Sequence, residues 1–397
     1  MSTPPSSRHP DLGTSVSSNR IEAVVQHALD DQRLVGAVVL VARNGELVHR
    51  QAAGWADRES RRAMRVDALF RLASVSKPIV STAALVLVAQ GRLDLDADIA
   101  RWLPDFQPRL ADGRRARMTA RQLLSHTAGL GYRFLEPDAN GPYALAGVSD
   151  GMDASGVSLE ENLRRIASVP LLYVPGTAWG YSLASDVLGA LIERVLDAPL
   201  NEAVRTLVTG PLAMSDTDFS TSDLVRMTTA YVSDRPRPHR LEEGETVSAF
   251  EGAIGIAYSP ARGFDPGAFA SGGAGMVGTA GDFLRLLEAL RTGGGRLLPD
   301  RLIQEAARDH TDGAALPDLP GLGFGLGFSV LRDPALAASP ESAGTWRWGG
   351  AYGHSWCVDR AAGLSVVAFT NTLYEGMSGR FVTDLRDAVY AAVRAGQ

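Results

Sequence analysis

The order of helix-like and strand-like segments along the chain is the feature that most restricts its fold. A helical pattern at residues 20 to 32 precedes two strand-like runs joined at Asn44-Gly45, a dipeptide typical of tight β-hairpins. Further strand-like runs appear only after residue 320, and a last helical pattern starts at residue 379. Helical segments and long Gly- and Pro-rich loops fill the interval. This order predicts an α+β fold in which an antiparallel sheet, flanked by helices, is split by a mostly helical insertion.

The length of 397 residues favours two domains rather than one. We expect residues 20–72 and 272–397 to form a discontinuous α/β sheet domain and residues 73–271 a helical domain, with the active site in the cleft between them. Residues 1–19 are rich in Ser and Pro and lack the apolar core of a signal peptide. They are predicted to form a flexible arm on a cytoplasmic protein.

Composition narrows the classes of partner and cofactor. The formal net charge of −6 argues against nucleic acid and anionic membranes as main partners. Cys357 is the only cysteine, which excludes an intramolecular disulfide and a cysteine-based zinc site. His, Cys and carboxylate residues show no metal-ligand spacing, and no apolar run is long enough to span a bilayer. We therefore expect neither metal nor cofactor, and the sequence leaves the oligomeric state open.

The stretch GVSDG, residues 147 to 151, matches the Gly-x-Ser-x-Gly pattern that presents the nucleophile of many α/β-hydrolases. Such a nucleophile needs a strand running into the turn and a helix leaving it. The segments on both sides of Ser149 have the composition of loops, and the chain holds 42 glycines. We interpret the match as a chance one.

A second candidate is the Ser-x-x-Lys motif formed by Ser74 and Lys77. Residues three apart on a helix share a face, and a serine at the helix start leaves its N–H available to an oxyanion. The plain alternative is that Ser74 caps the helix and Lys77 is a surface cation. Two observations weigh against it: residues 74–90 are apolar on nearly every face, and Lys77 is the only lysine in the chain. Arginine cannot give up its proton at usable pH, whereas a buried lysine can.

A base next to Ser74 needs a partner that can share the proton. Tyr181 is the candidate, because it follows the Pro175-Gly176 turn and precedes a helical segment. Its alternative interpretation is an ordinary half-buried tyrosine.

With these residues in place, the chain resembles class C β-lactamases and related penicillin-binding proteins, from about residue 20 to the C-terminus. Their layout is Ser-x-x-Lys, then Tyr-x-Asn, then Lys-Thr-Gly near the C-terminus. Here the second element reads Tyr181-Ser-Leu183 and the third Trp348-Gly349-Gly350. These altered elements are similar to those of family VIII carboxylesterases, which share the class C β-lactamase-like fold. The family also commonly carries a Gly-x-Ser-x-Gly that is not catalytic.

The resemblance implies a serine carboxylesterase acting through an acyl-enzyme, with Ser74 as nucleophile and Lys77 and Tyr181 as its proton acceptors. It places the N–H groups of Ser74 and Ala351 in the oxyanion hole. Trp348 offers no cation to a penicillin carboxylate, and Leu183 cannot hydrogen-bond to a β-lactam side chain, so small uncharged esters fit better.

An apolar pocket is predicted around the acyl group, with water or an alcohol as acceptor. The candidate substrate-binding residues are Trp348, Gly349, Gly350, Tyr132, Phe134, Trp179, Leu183 and His354. His354 is also compatible with support of the oxyanion strand or with simple packing, and His126 is interpreted as structural. Deacetylation of cephalosporin-type esters and acyl transfer to alcohols are left open as further reactions.

Two other functions compete with the esterase. The first is a β-lactamase or D-alanyl-D-alanine carboxypeptidase, against which the missing signal peptide counts. The second is a non-catalytic binding protein, which is expected to have lost Ser74, Lys77 or Tyr181.

Overall fold

The computed structural model describes residues 16–248, 250–295, 297–314 and 316–395. Residues 1–15 of the predicted arm lie outside the described residues, and the first helix already begins at Val16. Within these ranges no helix combines the length and apolar character that crossing a bilayer requires.

All strands longer than two residues lie toward the two ends of the chain, as predicted, whereas five two-residue strands between residues 231 and 278 fall in the interval predicted to be mostly helical. In chain order they are β1 (Gly36–Arg43), β2 (Glu46–Asp57), β3 (Arg62–Ala63), β4 (Phe70–Arg71), β5 (Tyr231–Val232), β6 (His239–Arg240), β7 (Thr246–Val247), β8 (Ile256–Ala257), β9 (Val277–Gly278), β10 (Leu322–Phe324), β11 (Ser329–Leu331), β12 (Trp346–Gly350), β13 (His354–Asp359) and β14 (Leu364–Thr370). Eight of them form one antiparallel sheet in the order β10-β11-β12-β13-β14-β1-β2-β3. The N-terminal hairpin therefore joins the C-terminal strands through the β1–β14 pair.

The helices lie on both sides of this sheet and in the interval between its two halves. They are α1 (Val16–Asp30), α2 (Ser76–Ala89), α3 (Ala120–Leu124), α4 (Pro142–Leu145), α5 (Leu159–Ser168), α6 (Ala184–Leu196), α7 (Leu200–Val204), α8 (Ala280–Arg291), α9 (Asp300–Ala306), α10 (Glu375–Ser378) and α11 (Arg380–Ala395). The antiparallel sheet flanked by helices agrees with the predicted α+β architecture. The division into two domains stays a prediction.

Strand β1 is buried on both faces, which explains its continuous apolar sequence. Val39 and Val41 contribute to the cluster that also holds Phe381 of α11, whereas Val38 and Leu40 belong to the large core shared with α2. Successive side chains of a strand point to opposite faces, so one apolar run serves two layers. The sheet is thus packed between the α1–α11 pair and the rest of the protein.

Two turns show where a local sequence pattern predicts the backbone structure and where it does not. Asn44 and Gly45 have φ values of 53° and 92°, as a two-residue hairpin turn requires, and Arg43 pairs with Glu46. The run from Gly321 to Leu331 is predicted as one strand but forms the hairpin β10–β11. Gly327 lies in its turn with φ of 104°, and a Cβ there would stand 2.3 Å from Ser81 Oγ. The bend therefore depends on packing against α2, which the local pattern does not reveal.

Helix α2 is the buried central helix that its apolar sequence predicts, since every residue from Ser76 to Leu87 is buried. Its start differs from the prediction. Residues Ala73–Val75 form a separate 3₁₀ turn, and the α-helix begins at Ser76. Gly91 follows the helix end with φ of 69°, the left-handed conformation common just past a helix C-terminus.

Candidate active site

Ser74 lies on the 3₁₀ turn that precedes α2. Ala73 has a φ of 46°, a strained conformation for a residue with a Cβ. Ala73 and Val75 are fully buried, while Ser74 retains partial exposure. The turn thus holds its flanking residues in the core and leaves the Ser74 side chain partly exposed.

Lys77 lies one turn further along and is directed back toward that hydroxyl. Its side chain is 1% exposed, so it is not a snorkelling surface cation. Nζ donates to Ser74 Oγ at 3.2 Å and to the Gly273 carbonyl at 2.8 Å. The Gly273 carbonyl comes from the loop before β9, so the ammonium connects α2 with the segment that leads back into the sheet region.

Tyr181 is the second side chain that bonds Ser74. Its Oη donates to Ser74 Oγ at 2.5 Å, and Lys77 Nζ lies 4.7 Å from the centre of its ring. The three predicted catalytic side chains therefore meet at one oxygen, in an arrangement that can pass a proton between Ser74 and Tyr181.

His126 holds the loop that carries Tyr181. It lies between α3 and the cleft with a φ of 56°, and its carbonyl accepts the N–H of Gly180. Its Nδ1 lies 3.2 Å from Ser182 Oγ. Burial, and then the charge of Lys77, lower its pKa well below the usual value. A neutral, fully packed ring agrees with the structural role inferred for His126.

The end of strand β12 lies against the Ser74 turn. A Cβ on Gly350 would stand 2.5 Å from the Leu72 carbonyl, so only glycine allows this approach. The next residue is Ala351. Among the described residues, no acceptor bonds the backbone N–H of Ser74 or of Ala351. Two free N–H groups on neighbouring segments are what an oxyanion hole needs.

A chain of aromatic rings packs next to Tyr181, the tyrosine that bonds Ser74. Tyr181 lies 5.1 Å from Tyr132 and 5.3 Å from Trp348 between ring centres, and Tyr132 stacks on Phe134 at 4.5 Å. Phe324 of β10 contacts both Trp348 and Trp179. We name the following set the aromatic wall: Tyr132, Phe134, Trp179, Phe324 and Trp348. All of them except Phe324 were predicted from the sequence as substrate-binding residues.

Three predicted substrate-binding residues remain: Gly349 lies partly exposed in β12, and the other two belong to the core. Leu183 and His354 are fully buried. His354 Nε2 lies 2.8 Å from the Arg71 carbonyl, and its ring packs on Phe70 and Phe369. Burial lowers its pKa to about 4, so it stays neutral. Both residues support the cleft by packing, and direct substrate contact by either stays a prediction.

Ser149 occupies a quite different environment. It is fully buried, its Oγ donates to Asp153, and its N–H donates to the Asn162 side chain. The preceding and following residues form neither a strand nor a helix. The next residue, Asp150, accepts the N–H groups of Arg133 and Phe134. The GVSDG stretch thus fixes the backbone that carries part of the aromatic wall.

Comparisons with known proteins agree with this architecture. The profile of the beta-lactamase family matches residues 21–391. Esterase EstB of Burkholderia gladioli is 53% identical over 94% of this chain and 95% of its own. Lovastatin esterase of Penicillium rubens is 27% identical over 92% and 96%. The solved structure of EstCE1, described as a hydrolase with promiscuous acyltransferase activity, superposes with a TM-score of 0.92 at 45% identity, covering 94% of this chain and 98% of that one.

These findings confirm the resemblance and the fold class inferred from the sequence. With its large antiparallel sheet flanked by helices, the chain belongs to the beta-lactamase family.

Proposed function

We propose that the chain is a serine carboxylesterase that hydrolyses small uncharged esters through an acyl-enzyme at Ser74. The observation that carries this proposal is the convergence of Tyr181 Oη and Lys77 Nζ on Ser74 Oγ, at 2.5 and 3.2 Å. The identity with EstB supports the same reaction class. The proposed reaction needs no cofactor.

In acylation, Ser74 Oγ attacks the ester carbonyl while Tyr181, with Lys77 beside its ring, takes the hydroxyl proton. The carbonyl oxygen becomes an oxyanion, which the N–H groups of Ser74 and Ala351 stabilise; losing one such donor typically costs about 10²- to 10³-fold in rate. The proton then passes to the leaving alkoxide, and the alcohol departs. In deacylation, a water molecule gives its proton to the same pair and attacks the acyl carbonyl. The bond between Ser74 Oγ and the acyl carbon then breaks, the proton returns to Ser74 Oγ, and the acid departs.

The aromatic wall supports an apolar acyl group as the preferred substrate. In the class C β-lactamases that the chain resembles, a cation holds the penicillin carboxylate. Trp348 stands at that position here, so the aromatic wall offers apolar contact surface and no positive charge. A β-lactamase or carboxypeptidase remains the alternative function, and nitrocefin hydrolysis faster than ester hydrolysis would favour it. A cytoplasmic location, and the absence of nucleic-acid or membrane partners, stay predictions.

Truncation of Trp348 tests the acyl preference. We expect Trp348→Ala to lower kcat/KM for a nitrophenyl hexanoate at least about tenfold more than for the acetate, because each methylene that loses apolar contact weakens transition-state binding. Steady-state kinetics on the ester series measures this. Trp102→Ala, at a half-buried tryptophan outside the aromatic wall, is the matched control. Equal losses on both esters would contradict an acyl-binding role.

Acyl transfer to alcohols is a second proposed reaction. EstCE1 is described as a hydrolase with promiscuous acyltransferase activity, and the apolar wall here favours an alcohol over water near the acyl-enzyme. We expect a vinyl ester and excess benzyl alcohol in buffer to give the benzyl ester, detected by gas chromatography. Release of free acid alone under these conditions would sink this part of the proposal.

A further inference from the structure

Asp186 is a buried carboxylate that the mechanism above does not use. It lies in the first turn of α6, five residues after Tyr181, and its side chain is fully buried. Among the described residues, no donor meets hydrogen-bond geometry with either carboxylate oxygen. Burying a carboxylate is costly even with the Ser271 hydroxyl and the Gly273 N–H beside it, so its presence needs a physical explanation.

Its surroundings supply one. A Cβ on Gly273 would stand 2.8 Å from Asp186 Oδ2, 3.2 Å from Tyr132 Oη and 3.5 Å from Lys77 Nζ. The carboxylate, the phenol and the ammonium thus surround a single point that only glycine leaves empty. Lys77 bonds the Gly273 carbonyl and Ser74 Oγ, so Asp186 lies next to the catalytic cation without bonding it directly.

Charge is the property that links the two groups. Burial raises the pKa of Asp186, and the Ser271 hydroxyl, the charge of Lys77 and the Gly273 N–H all oppose that rise. Asp186 in turn contributes to the raised pKa of Tyr132, where burial is the largest cause. The titratable and charged groups that face this pocket are Lys77, Tyr132, Tyr181, Asp150 and Arg262.

We propose that Asp186 is a positioning residue that keeps Lys77 in its ammonium form, so that Tyr181 is the group that accepts the Ser74 proton. This inference rests on the proposed function and deepens it. The active base has one proton fewer than the fully protonated site, and either Lys77 or Tyr181 must lack it. A carboxylate beside Lys77 stabilises the ammonium, so the group that lacks a proton is Tyr181, whose oxygen lies closest to Ser74.

The sign of the pH effect follows from this arrangement. A negative charge near the base favours its protonated form. With Asp186 charged, the rate therefore starts to rise at a higher pH than it would without that charge, and we call this rising part of the profile the acidic limb. Asp186→Asn removes the charge and keeps the shape. We expect the limb to move to lower pH by about one unit and the plateau to fall about tenfold, since a base that loses its proton more easily is a weaker acceptor.

The experiment follows two rates against pH between 5 and 10: nitrophenyl acetate hydrolysis, and inactivation by a fluorophosphonate, which reports Ser74 activation whatever the ester preference. Wild type, Asp186→Asn, Asp186→Ser and Asp186→Glu are compared. Both neutral variants should move the limb, and Glu, which keeps the charge, should restore it. Two neutral variants keep the test possible when one of them folds poorly, and circular dichroism checks each.

Asp359→Asn is the matched control. Asp359 is equally buried but bonds Tyr390 Oη and the Ser342 N–H at the far end of β13. Its loss should lower thermal stability and leave the limb in place. Neutral Asp186 variants that lose activity with an unmoved limb would overturn the proposal, because a purely structural role has that signature. A wild type that reacts with the fluorophosphonate but not with esters would instead overturn only the proposed substrate class.

Discussion

Ser74→Ala is expected to lower ester hydrolysis by at least about 10⁴-fold, because it removes the oxygen on which Tyr181 and Lys77 converge. The remaining rate would come from the oxyanion donors and from binding alone. The measurement is hydrolysis of nitrophenyl acetate, with folding checked by circular dichroism. The fold should tolerate the change, since Ser74 is partly exposed and its neighbours Ala73 and Val75 make the core contacts.

Ser149→Ala is the control for this variant. The buried Ser149 hydroxyl bonds Asp153 and the Gly151 N–H, so its loss should cost about 1–3 kcal/mol of stability. We expect kcat to stay within a few-fold of wild type. An active Ser74→Ala together with an inactive, folded Ser149→Ala would reverse the assignment and make GVSDG the nucleophile motif.

Lys77→Arg is expected to lower kcat by about 10³-fold or more. Arginine keeps the positive charge, but its planar group does not fit a site built for one nitrogen between Ser74 Oγ and the Gly273 carbonyl, so the catalytic side chains lose their alignment. Steady-state kinetics and thermal unfolding of the purified variant measure the effect. The fluorophosphonate rate should fall in parallel, because it depends on the same activation of Ser74.

Arg92→Lys provides the reverse exchange at an exposed position and should leave activity unchanged. An Lys77→Arg enzyme within about tenfold of wild type would show that any cation near Ser74 suffices, and would contradict the requirement for a lysine nitrogen between Ser74 Oγ and the Gly273 carbonyl.

The parts of the fold that sequence predicted are those fixed by local pattern. The Asn44-Gly45 hairpin forms as predicted, α2 is the predicted buried helix with a later start, and strands β10 to β14 follow residue 320 as expected. The run at residues 120–130 has a helical pattern in the sequence, but α3 ends at Leu124 because His126 turns the chain with a positive φ. Tertiary contacts with Gly180 and Ser182 hold that turn, and no local pattern encodes them.

The residues of the candidate site also fall into those that a sequence pattern marks and those that only tertiary contacts reveal. Ser74, Lys77 and Tyr181 were found because motif spacing and the unique lysine mark them. Asp186 has no such mark, since an acidic residue in the first turn of a helix is ordinary, and only its burial beside Lys77 singles it out. The sequence gives Phe324 no functional mark, because its place in the aromatic wall depends on the β10–β11 turn.

Covalent labelling is the most direct measurement of the central claim. The protein is treated with a fluorophosphonate, and the modified residue is located by tandem mass spectrometry after trypsin digestion. Ser74 and Ser149 fall in separate peptides, residues 72–92 and 134–164, since trypsin cuts after arginine and leaves the Lys77-Pro78 bond intact. We predict one adduct, on Ser74, at a rate that Tyr181→Phe strongly reduces. An adduct on Ser149 would contradict the account.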